Sequence, residues 1–545
     1  MAFGGLPIEW RFNASRSVPF RPALLITLIL GLVWPFAACS AAEPPAASPA
    51  DGHFDVNEYR VTGNSVLESR AVERAVYPHL GPNKTLKDVE LARTALEQVY
   101  HDAGYGTVFV DIPEQTVDEG IVRLHVTEGR LHSVTVTGAR YFSGRQIKSA
   151  MPAAKVGAVP DLPAVQTQLG AINAATADRS VVPVLKAGPI PGTVDLNLKV
   201  QDSLPVHAAV EVNNQYSADT SPLRASLLLS YNNLFGRLDK FSLQLQGVPG
   251  RPGQSDVLAA SYVTSVFGTD SLSLVFINSS SDVATIGTLG VTGKGKVYTG
   301  RYIAPLHNTQ DFSDSLSLGL DYKDFAQDVA LDKSSALHTP ISYVNLSAAY
   351  TGARRFETRQ YAWSGSATLG LRGVVNKTID FADKCYGCKP DYVIWRADAS
   401  VDQRLPRDFG VTLRLAGQYT IDPVVSNEQF LIGGAQSVRG YLEAEELGDT
   451  GVRGTLEFRA PNLARKESFM HTLIPFAFVD AGRIGFQLPL PGQPRSAKLA
   501  SWGAGLNIET FSFLSGTFTW TRTLETGSHT GQGASRWLFN VRSSW

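Results

Sequence analysis

Over the last ten residues of the chain, Trp537, Phe539, Val541 and Trp545 share one parity, and Arg536, Asn540, Arg542 and Ser544 share the other. Leu538 alone breaks the alternation. Period-2 amphipathicity marks a strand with two chemically different faces. A soluble sheet seldom ends its chain on an exposed Trp. A transmembrane β-barrel places aromatics in lipid-facing girdles and closes with its last strand. The terminal strand therefore predicts a barrel in a bilayer, with an ordinary buried strand as the alternative.

The same alternation recurs upstream. Val393, Trp395, Ala397, Ala399 and Val401 oppose Arg396, Asp398 and Ser400. Val452, Leu456, Phe458 and Ala460 oppose Arg453, Thr455, Glu457 and Arg459. A soluble sandwich also alternates, but it does not repeatedly set Arg, Glu and Asp against a Trp-rich face; a barrel with lipid outside and a wet lumen does. The expected fold is a transmembrane β-barrel of about 16 antiparallel strands over 206–545, an even count suited to closure. The aromatic ending resembles the signal that the barrel-assembly machinery reads in bacterial outer-membrane barrels. That resemblance assigns Trp537, Phe539, Val541 and Trp545 to membrane assembly, and makes the machinery and the lipid bilayer expected partners.

Composition is consistent with this. Charged residues make up 18% of the 545, against about 25% in soluble domains. A mean hydropathy near zero excludes a helical membrane protein. The net charge of −1 gives no electrostatic reason to expect a nucleic-acid partner. One long apolar run, Ala23 to Ala38, follows Arg11, Arg16 and Arg21 and ends in Cys39-Ser-Ala-Ala42. This is the pattern of a secretory signal peptide, expected at 1–42. Residues 43–53 read as a linker.

From Phe54 to about Leu204 the pattern is mixed α/β. Val89, Ala92, Leu96, Val99 and Ala103 predict one face of a helix over 89–103. Strands are expected at 107–111 and 121–126. Val61-Thr-Gly63 recurs as Val136-Thr-Gly138, 75 residues on. Val122-x-Leu124-x-Val126-x-Glu128 recurs as Leu196-x-Leu198-x-Val200-x-Asp202, 74 residues on. Two matches at nearly one offset predict two β-α-α-β-β units.

Cys385 and Cys388 form a C-x-x-C pair. Such a pair serves redox chemistry, half a metal site or a disulfide. The exported context and turn-like flanks favour a disulfide pinning an extracellular loop. No metal is expected, since no further His or Cys lies nearby.

The gap between Asp422 and Thr450 is too long for an ordinary hairpin turn. It contains Val438-Arg439-Gly440-Tyr441, and Phe478-Val-Asp480-Ala-Gly482 follows downstream. Phe478, Asp480 and Gly482 share the lumen-facing parity. These motifs, the two modules before them and the aromatic terminus after them together resemble the two-partner secretion transporters of TpsB type, the haemolysin secretion/activation family. The resemblance extends from Phe54 to Trp545. It implies periplasmic POTRA domains at 54–130 and 131–205, before an outer-membrane barrel with a loop at 423–450 folded back into the lumen. In the family this loop's Arg, here Arg439, pairs with the wall carboxylate, here Asp480. An Arg fork suits a carboxylate, Gly440 permits a tight turn, and Gly482 leaves room.

The resemblance further implies secretion of a large TpsA-like exoprotein, captured unfolded by the POTRA domains. Candidate capture grooves are the edges Phe54–Val61 or Val134–Val136, with the helix at 89–103. The short stretch 43–53 departs from family members that carry a plug helix and long linker there. Other readings are a barrel-protein insertase, which usually carries three or more POTRA modules, and a passive porin, which needs neither the modules nor Arg439–Asp480. No enzyme and no cofactor are expected: the sequence has no G-x-x-x-x-G-K-[ST] loop, no G-x-S-x-G elbow and no H-E-x-x-H.

Overall fold

A computed structural model describes residues 52–545, less 219, 282, 287–288, 293, 327, 333–334, 339, 376–377 and 465–468. The expected signal peptide, and the expected linker apart from its last two residues, lie outside the described residues. The chain divides into two compact units, one ending at Leu204 and the other running from Pro205 to Trp545.

The first unit holds two three-stranded sheets. In one, Glu58–Thr62 runs parallel to the central strand Ile121–Glu128, and Val108–Asp111 lies antiparallel on its other side. In the other, Arg130–Thr137 and Arg179–Ala187 flank Thr193–Asp202 in the same way. Each sheet takes two helices between its first and second strands in sequence: Ser69–Val76 and Leu86–Asp102, then Gly144–Ser149 and Leu162–Ala174. The first module adds a small ladder, Phe54–Val56 against Gly81–Lys84. One side of Phe54–Val56 is therefore paired within the module.

Helix Leu86–Asp102 begins at Thr85, whose N–H and hydroxyl both donate to Asp88 Oδ2 (2.8 and 2.7 Å). Its buried face is Val89, Ala92, Leu96 and Tyr100. Tyr100 replaces the expected Val99 and Ala103, because it continues the i+3, i+4, i+4 stripe. Its hydroxyl finds a partner in Asn64 Oδ1 at 2.6 Å.

The repeat has a physical basis. Gly63 (φ +88°) and Gly138 (φ +86°) each turn the chain after the first strand. A Cβ at Gly63 would stand 2.1 Å from the Val126 carbonyl, and at Gly138 2.3 Å from that of Val200. Only glycine fits such a close backbone approach. The repeated acids bind the loops that follow. Glu128 Oε1 accepts from the backbone N–H of Ser65 (2.5 Å) and Val66 (3.0 Å). Asp202 Oδ2 accepts from those of Arg140, Tyr141 and Phe142 (2.9, 2.9 and 3.2 Å).

The second unit is a closed barrel of 16 strands, every neighbour antiparallel. Its strands are Val206–Asn213, Arg224–Leu234, Asp239–Gly247, Val257–Ser265, Ser271–Ser279, Gly295–Asn308, Phe312–Phe325, Ile341–Arg355, Arg359–Gly370, Val393–Arg404, Gly410–Thr420, Thr450–Arg459, Met470–Gly485, Ser496–Thr510, Leu514–Thr523 and Ser535–Ser544. The last strand pairs with the first from Asn540↔Asn213 to Ser544↔Ala209. Asn214 lengthens this seam with its side chain: Nδ2 donates to Trp537 O (2.7 Å) and Oδ1 accepts from Phe539 N (2.9 Å).

The chain enters the barrel at Val206 and ends at Trp545 on one rim, where the connecting turns are short. Exposed phenylalanines ring that rim at 235, 267, 356, 469, 511 and 513. Near the far rim Tyr298, Trp395, Tyr419 and Trp537 are exposed. Between the two belts the outward face is aliphatic, as at Leu316, Leu318, Leu320, Leu456 and Val479. This is an apolar band between aromatic girdles, the surface a bilayer requires. The inward face carries Arg396, Gln418, Glu457, Asp480 and Thr521, all buried. The far rim bears the long excursions, including helix Thr378–Lys384 and the segment between Thr420 and Thr450.

One consequence concerns acid. Burial raises the pKa of Glu128, but the bonds from Ser65 and Val66 and the charge of Arg130 outweigh it and hold the carboxyl below its ordinary 4.5. A depressed folded pKa contributes stability that is complete above about pH 4.5 and is lost as pH falls through the folded value. In fragment 54–204, Glu128→Gln is expected to lower the urea midpoint at pH 7 and to flatten its decline toward pH 3. Urea titrations followed by circular dichroism measure both; an unchanged slope would contradict this account.

Candidate functional site

The segment after Thr420 turns back into the lumen. It forms a short hairpin, Phe430–Ile432 against Glu446–Gly448, with the motif residues at its tip. Asp449 fixes the base: Oδ1 accepts from Val424 N (3.1 Å) and Gln429 Nε2 (3.1 Å), and Oδ2 from Gln487 N (2.9 Å). Gly433 and Gly434 (φ +98° and +108°) make the bend toward the tip. At Gly434 a Cβ would collide with the Glu443 carboxylate at 2.2 Å.

Arg439 lies against strands Thr450–Arg459 and Met470–Gly485. Its Nε donates to Asp480 Oδ2 (2.7 Å) and Nη2 to Asp480 Oδ1 (2.9 Å). Its backbone N–H reaches Asp480 Oδ2 as well (3.0 Å), and Nη1 donates to Glu457 Oε2 (2.9 Å). The guanidinium carbon sits 3.3 Å from the centroid of the Phe478 ring. Asp480 has 0% exposure, so its charge depends on Arg439 rather than on water. A Cβ on Gly482 would meet Ile432 Cγ2 at 3.0 Å and Val438 Cγ2 at 3.2 Å. The three positions of the Phe-x-Asp-x-Gly motif thus supply a ring to stack on, a carboxylate to pair with and space for the loop.

The flanking motif residues seat the tip. Val438 is fully buried with Ile432, Ile484 and Leu499. Gly440 (φ +98°) brings the backbone against Thr521 and Thr523. The Tyr441 hydroxyl lies 2.9 Å from Ala500 O and 2.7 Å from Glu525 O. Beyond the tip, Glu445 Oε1 accepts from His529 N (2.7 Å) and Thr530 N (2.6 Å). Glu443 N donates to Tyr216 O (3.0 Å).

Val438, Arg439, Gly440, Tyr441, Phe478, Asp480 and Gly482 are therefore brought together. Trp537, Phe539, Val541 and Trp545 stand apart on the outside of the last strand, with Trp537 and Trp545 most exposed. Cys385 and Cys388, joined as a disulfide, lie in the far-rim excursion beside helix Thr378–Lys384. Sequence reasoning missed Glu457 as a partner of Arg439, although its place on the polar parity of its strand was the signal available. It also missed Glu428 and its partners, which are far apart in sequence.

A further arrangement concerns the open edges of the first unit. Edge strand Val108–Asp111 is covered by its own helix: Val110 N donates to Glu97 Oε2 (3.2 Å) and Val108 O lies 3.2 Å from His101 Nε2. In the second module, Asn173 bonds both backbone groups of Val181 (2.8 and 3.0 Å). Val181 therefore points its N–H and C=O away from the sheet, and by alternation Leu185 and Ala187 do the same. Among the described residues no other strand pairs with that edge, and Val182, Leu185 and Ile190 beside it are exposed.

Arg439→Ala leaves Asp480 buried without its cation and is expected to destabilise the barrel by about 3–5 kcal/mol, less where water enters. A double-mutant cycle with Asp480→Ala, read from urea unfolding in lipid vesicles, should return a coupling of about 0.5–3 kcal/mol. A coupling indistinguishable from zero would mean that the two groups do not depend on each other.

Comparison with known proteins bears on the fold and the family. Residues 192–508, more than half of the chain, match the model of the haemolysin secretion/activation protein ShlB/FhaC/HecB family, and residues 54–129 match the ShlB-type POTRA domain. The outer membrane transporter CdiB of Dickeya dadantii is 23% identical over 478 residues, covering 84% of this chain and 80% of its own. The heme/hemopexin transporter protein HuxB of Haemophilus influenzae is 20% identical over 446 residues, covering 79% and 76%. Among solved structures, CdiB from Escherichia coli has a TM-score of 0.59 at 19% identity, covering 92% of this chain and 93% of its own. BamA from Haemophilus ducreyi lacking POTRA domains 1–3 has a TM-score of 0.57 at 16% identity, covering 90% and 100%; at such identities the likeness is one of fold. The family match spans more than half of the chain, and the chain belongs to the haemolysin secretion/activation family of outer-membrane two-partner secretion transporters.

Proposed function

We propose that the chain carries one exoprotein partner from the periplasm through its barrel, with the POTRA modules capturing that partner as an extended chain. The observation that carries this reading is the in-folding loop. Arg439 holds it across the lumen through a few directional bonds rather than as part of the wall. A loop held in this way leaves the lumen when its bonds break, without any barrel strand unpairing.

Capture needs a strand edge, because backbone hydrogen bonds give affinity with little dependence on cargo sequence. The edge at Val184–Ala187 suits this best. The outer side of Val108–Asp111 is covered by helix Leu86–Asp102. Strand Glu58–Thr62 carries the Arg60–Glu58 ion pair, a charged edge of the kind that resists pairing. At Val134 the carbonyl accepts from Lys148 Nζ (3.0 Å), which occupies part of the other edge expected from sequence. The exposed Val182, Leu185 and Ile190 would add apolar contact for an unfolded partner. In biogenesis, the exposed Trp545 and the terminal strand are the features that the barrel-assembly machinery would read.

The test compares the secretome and the outer-membrane profile of cells with and without the gene by mass spectrometry. Loss of one or a few large exoproteins, with other barrels unchanged, is expected. Broad loss of other barrels would instead make the chain an assembly factor. In the same cells, Arg439→Ala should reduce secretion at least about tenfold, the scale set by losing one charged hydrogen bond, while the barrel stays inserted. Normal secretion by that variant would remove the role given to the latch. Leu185→Pro deletes one outward N–H and is tolerated on an edge strand. It should weaken binding of the identified partner's secretion domain, measured by titration calorimetry, and equal affinity would rule out this edge.

A further inference from the structure

The loop has a second anchor. Glu428, in the turn Ser426–Glu428, has 0% exposure inside the barrel. Its carboxylate accepts from Lys323 Nζ, from Tyr343 Oη (2.9 Å) and from Asn345 Nδ2 (3.1 Å). Arg396 Nη2 stands 3.5 Å from Oε2 and 3.1 Å from the Glu428 carbonyl, which Gln418 Nε2 also reaches at 2.9 Å. These donors come from strands Phe312–Phe325, Ile341–Arg355, Val393–Arg404 and Gly410–Thr420. None of them belongs to the two strands that hold Arg439.

The two anchors are electrically opposite. At Arg439 the loop supplies the cation and the wall supplies Asp480 and Glu457. At Glu428 the loop supplies the anion and the wall supplies Lys323 and Arg396. Gly433 and Gly434 lie between them. The loop is therefore clamped at two places on the wall, with its permissive backbone in the middle.

The space above Glu428 is filled by apolar side chains. Helix Thr378–Lys384 inserts Phe381, itself 0% exposed, between Tyr343 and Tyr392, at ring distances of 5.7 and 6.3 Å. Val424 and Val425 of the loop pack into the same cluster, with inward-facing Ile277, Val297 and Phe325 of the wall. Tyr343 and Asn345 bond Glu428, and the Tyr392 hydroxyl donates to Asn345 Oδ1 at 2.7 Å. The apolar cluster and the ionic anchor thus share side chains.

We infer that Glu428 is a second positioning residue of the transport path: it latches the loop to the wall beneath the apolar plug of Phe381, and the extracellular half of the lumen opens only when this latch releases. The inference rests on the reading that the barrel is the conduit. A lumen closed by one latch would open on loss of Arg439 alone. A lumen closed by two needs the second released as well, and the region around Glu428 stays shut while it holds.

The experiment is conductance of the purified full-length chain in planar lipid bilayers. Glu428→Gln keeps the shape and removes the charge. It should raise open probability by about tenfold, the population shift expected from weakening one charged hydrogen-bond set. Glu428→Asp should return most of the wild-type closure, a rescue that mere packing would not give. Phe381→Ala should raise conductance independently by opening the plug. Heat-modifiable gel mobility reports that each barrel is folded. Should Glu428→Gln fail to fold, Tyr343→Phe with Asn345→Ala removes two neutral donors without leaving an unpaired charge, and should again raise open probability. Folded variants with wild-type conductance would overturn the latch. Secretion is measured in parallel: absence of any exported partner from wild-type cells would defeat the transport reading, while a conductance change would still identify the latch.

Discussion

Asp480 is a carboxylate with no exposure to solvent, set in the wall of a barrel whose other face meets lipid. Such a charge is tolerated only where a cation with good geometry answers it. The geometry around it follows from that need. Arg439 comes in on the in-folding loop and meets the carboxylate with two side-chain bonds. Gly482 is bare so that the loop can approach, and Phe478 lies flat under the guanidinium. Glu457 takes the remaining donor. Neutralising this buried group is thus one of the contacts that fix the position of the loop.

The barrel tolerates this interior because its backbone is already satisfied. Closing the ladder between the first and last strands removes every sheet edge from the lipid. Side chains inside are then free to be ionic, aromatic or apolar as the lumen requires. The ionic part lies on two sides and the apolar part gathers near the far rim. The loop 423–449 touches both. Its stability is a sum of local contacts that do not include the barrel ladder itself, so loop and wall can change state separately.

The strands were legible in the sequence because lipid and lumen impose opposite demands on alternate residues. Val479 and Asp480 could be assigned to their faces from parity alone, and the observed strand Met470–Gly485 places them so. The plug was not legible for the same reason. Ile277, Val297, Phe325 and Ile394 are apolar residues on the lumenal parity, and an alternation test reads them as noise. Glu428 was hidden differently: Lys323 lies 105 residues away, and no local pattern links a Glu in a turn to a Lys on a distant strand. Tyr100 displaced the expected Val99 because a helical stripe drifts, and a fixed set of positions does not follow it. The partner of Phe54–Val56, Gly81–Lys84, was not foreseen because it is too polar to look like a strand.

The two POTRA-like modules share little beyond a short Val-Thr-Gly and an alternating apolar run that ends in an acid. Gly63 and Gly138 would each drive a Cβ into a carbonyl of the module's own last strand, and the acids at 128 and 202 each gather the N–H groups of the next loop. If both modules descend from one ancestral copy, their surfaces were free to diverge and these positions were not. The sequence record of such a duplication would then be kept by backbone crowding and stranded donors, and would fade first at the surfaces where two modules of one chain take up different work.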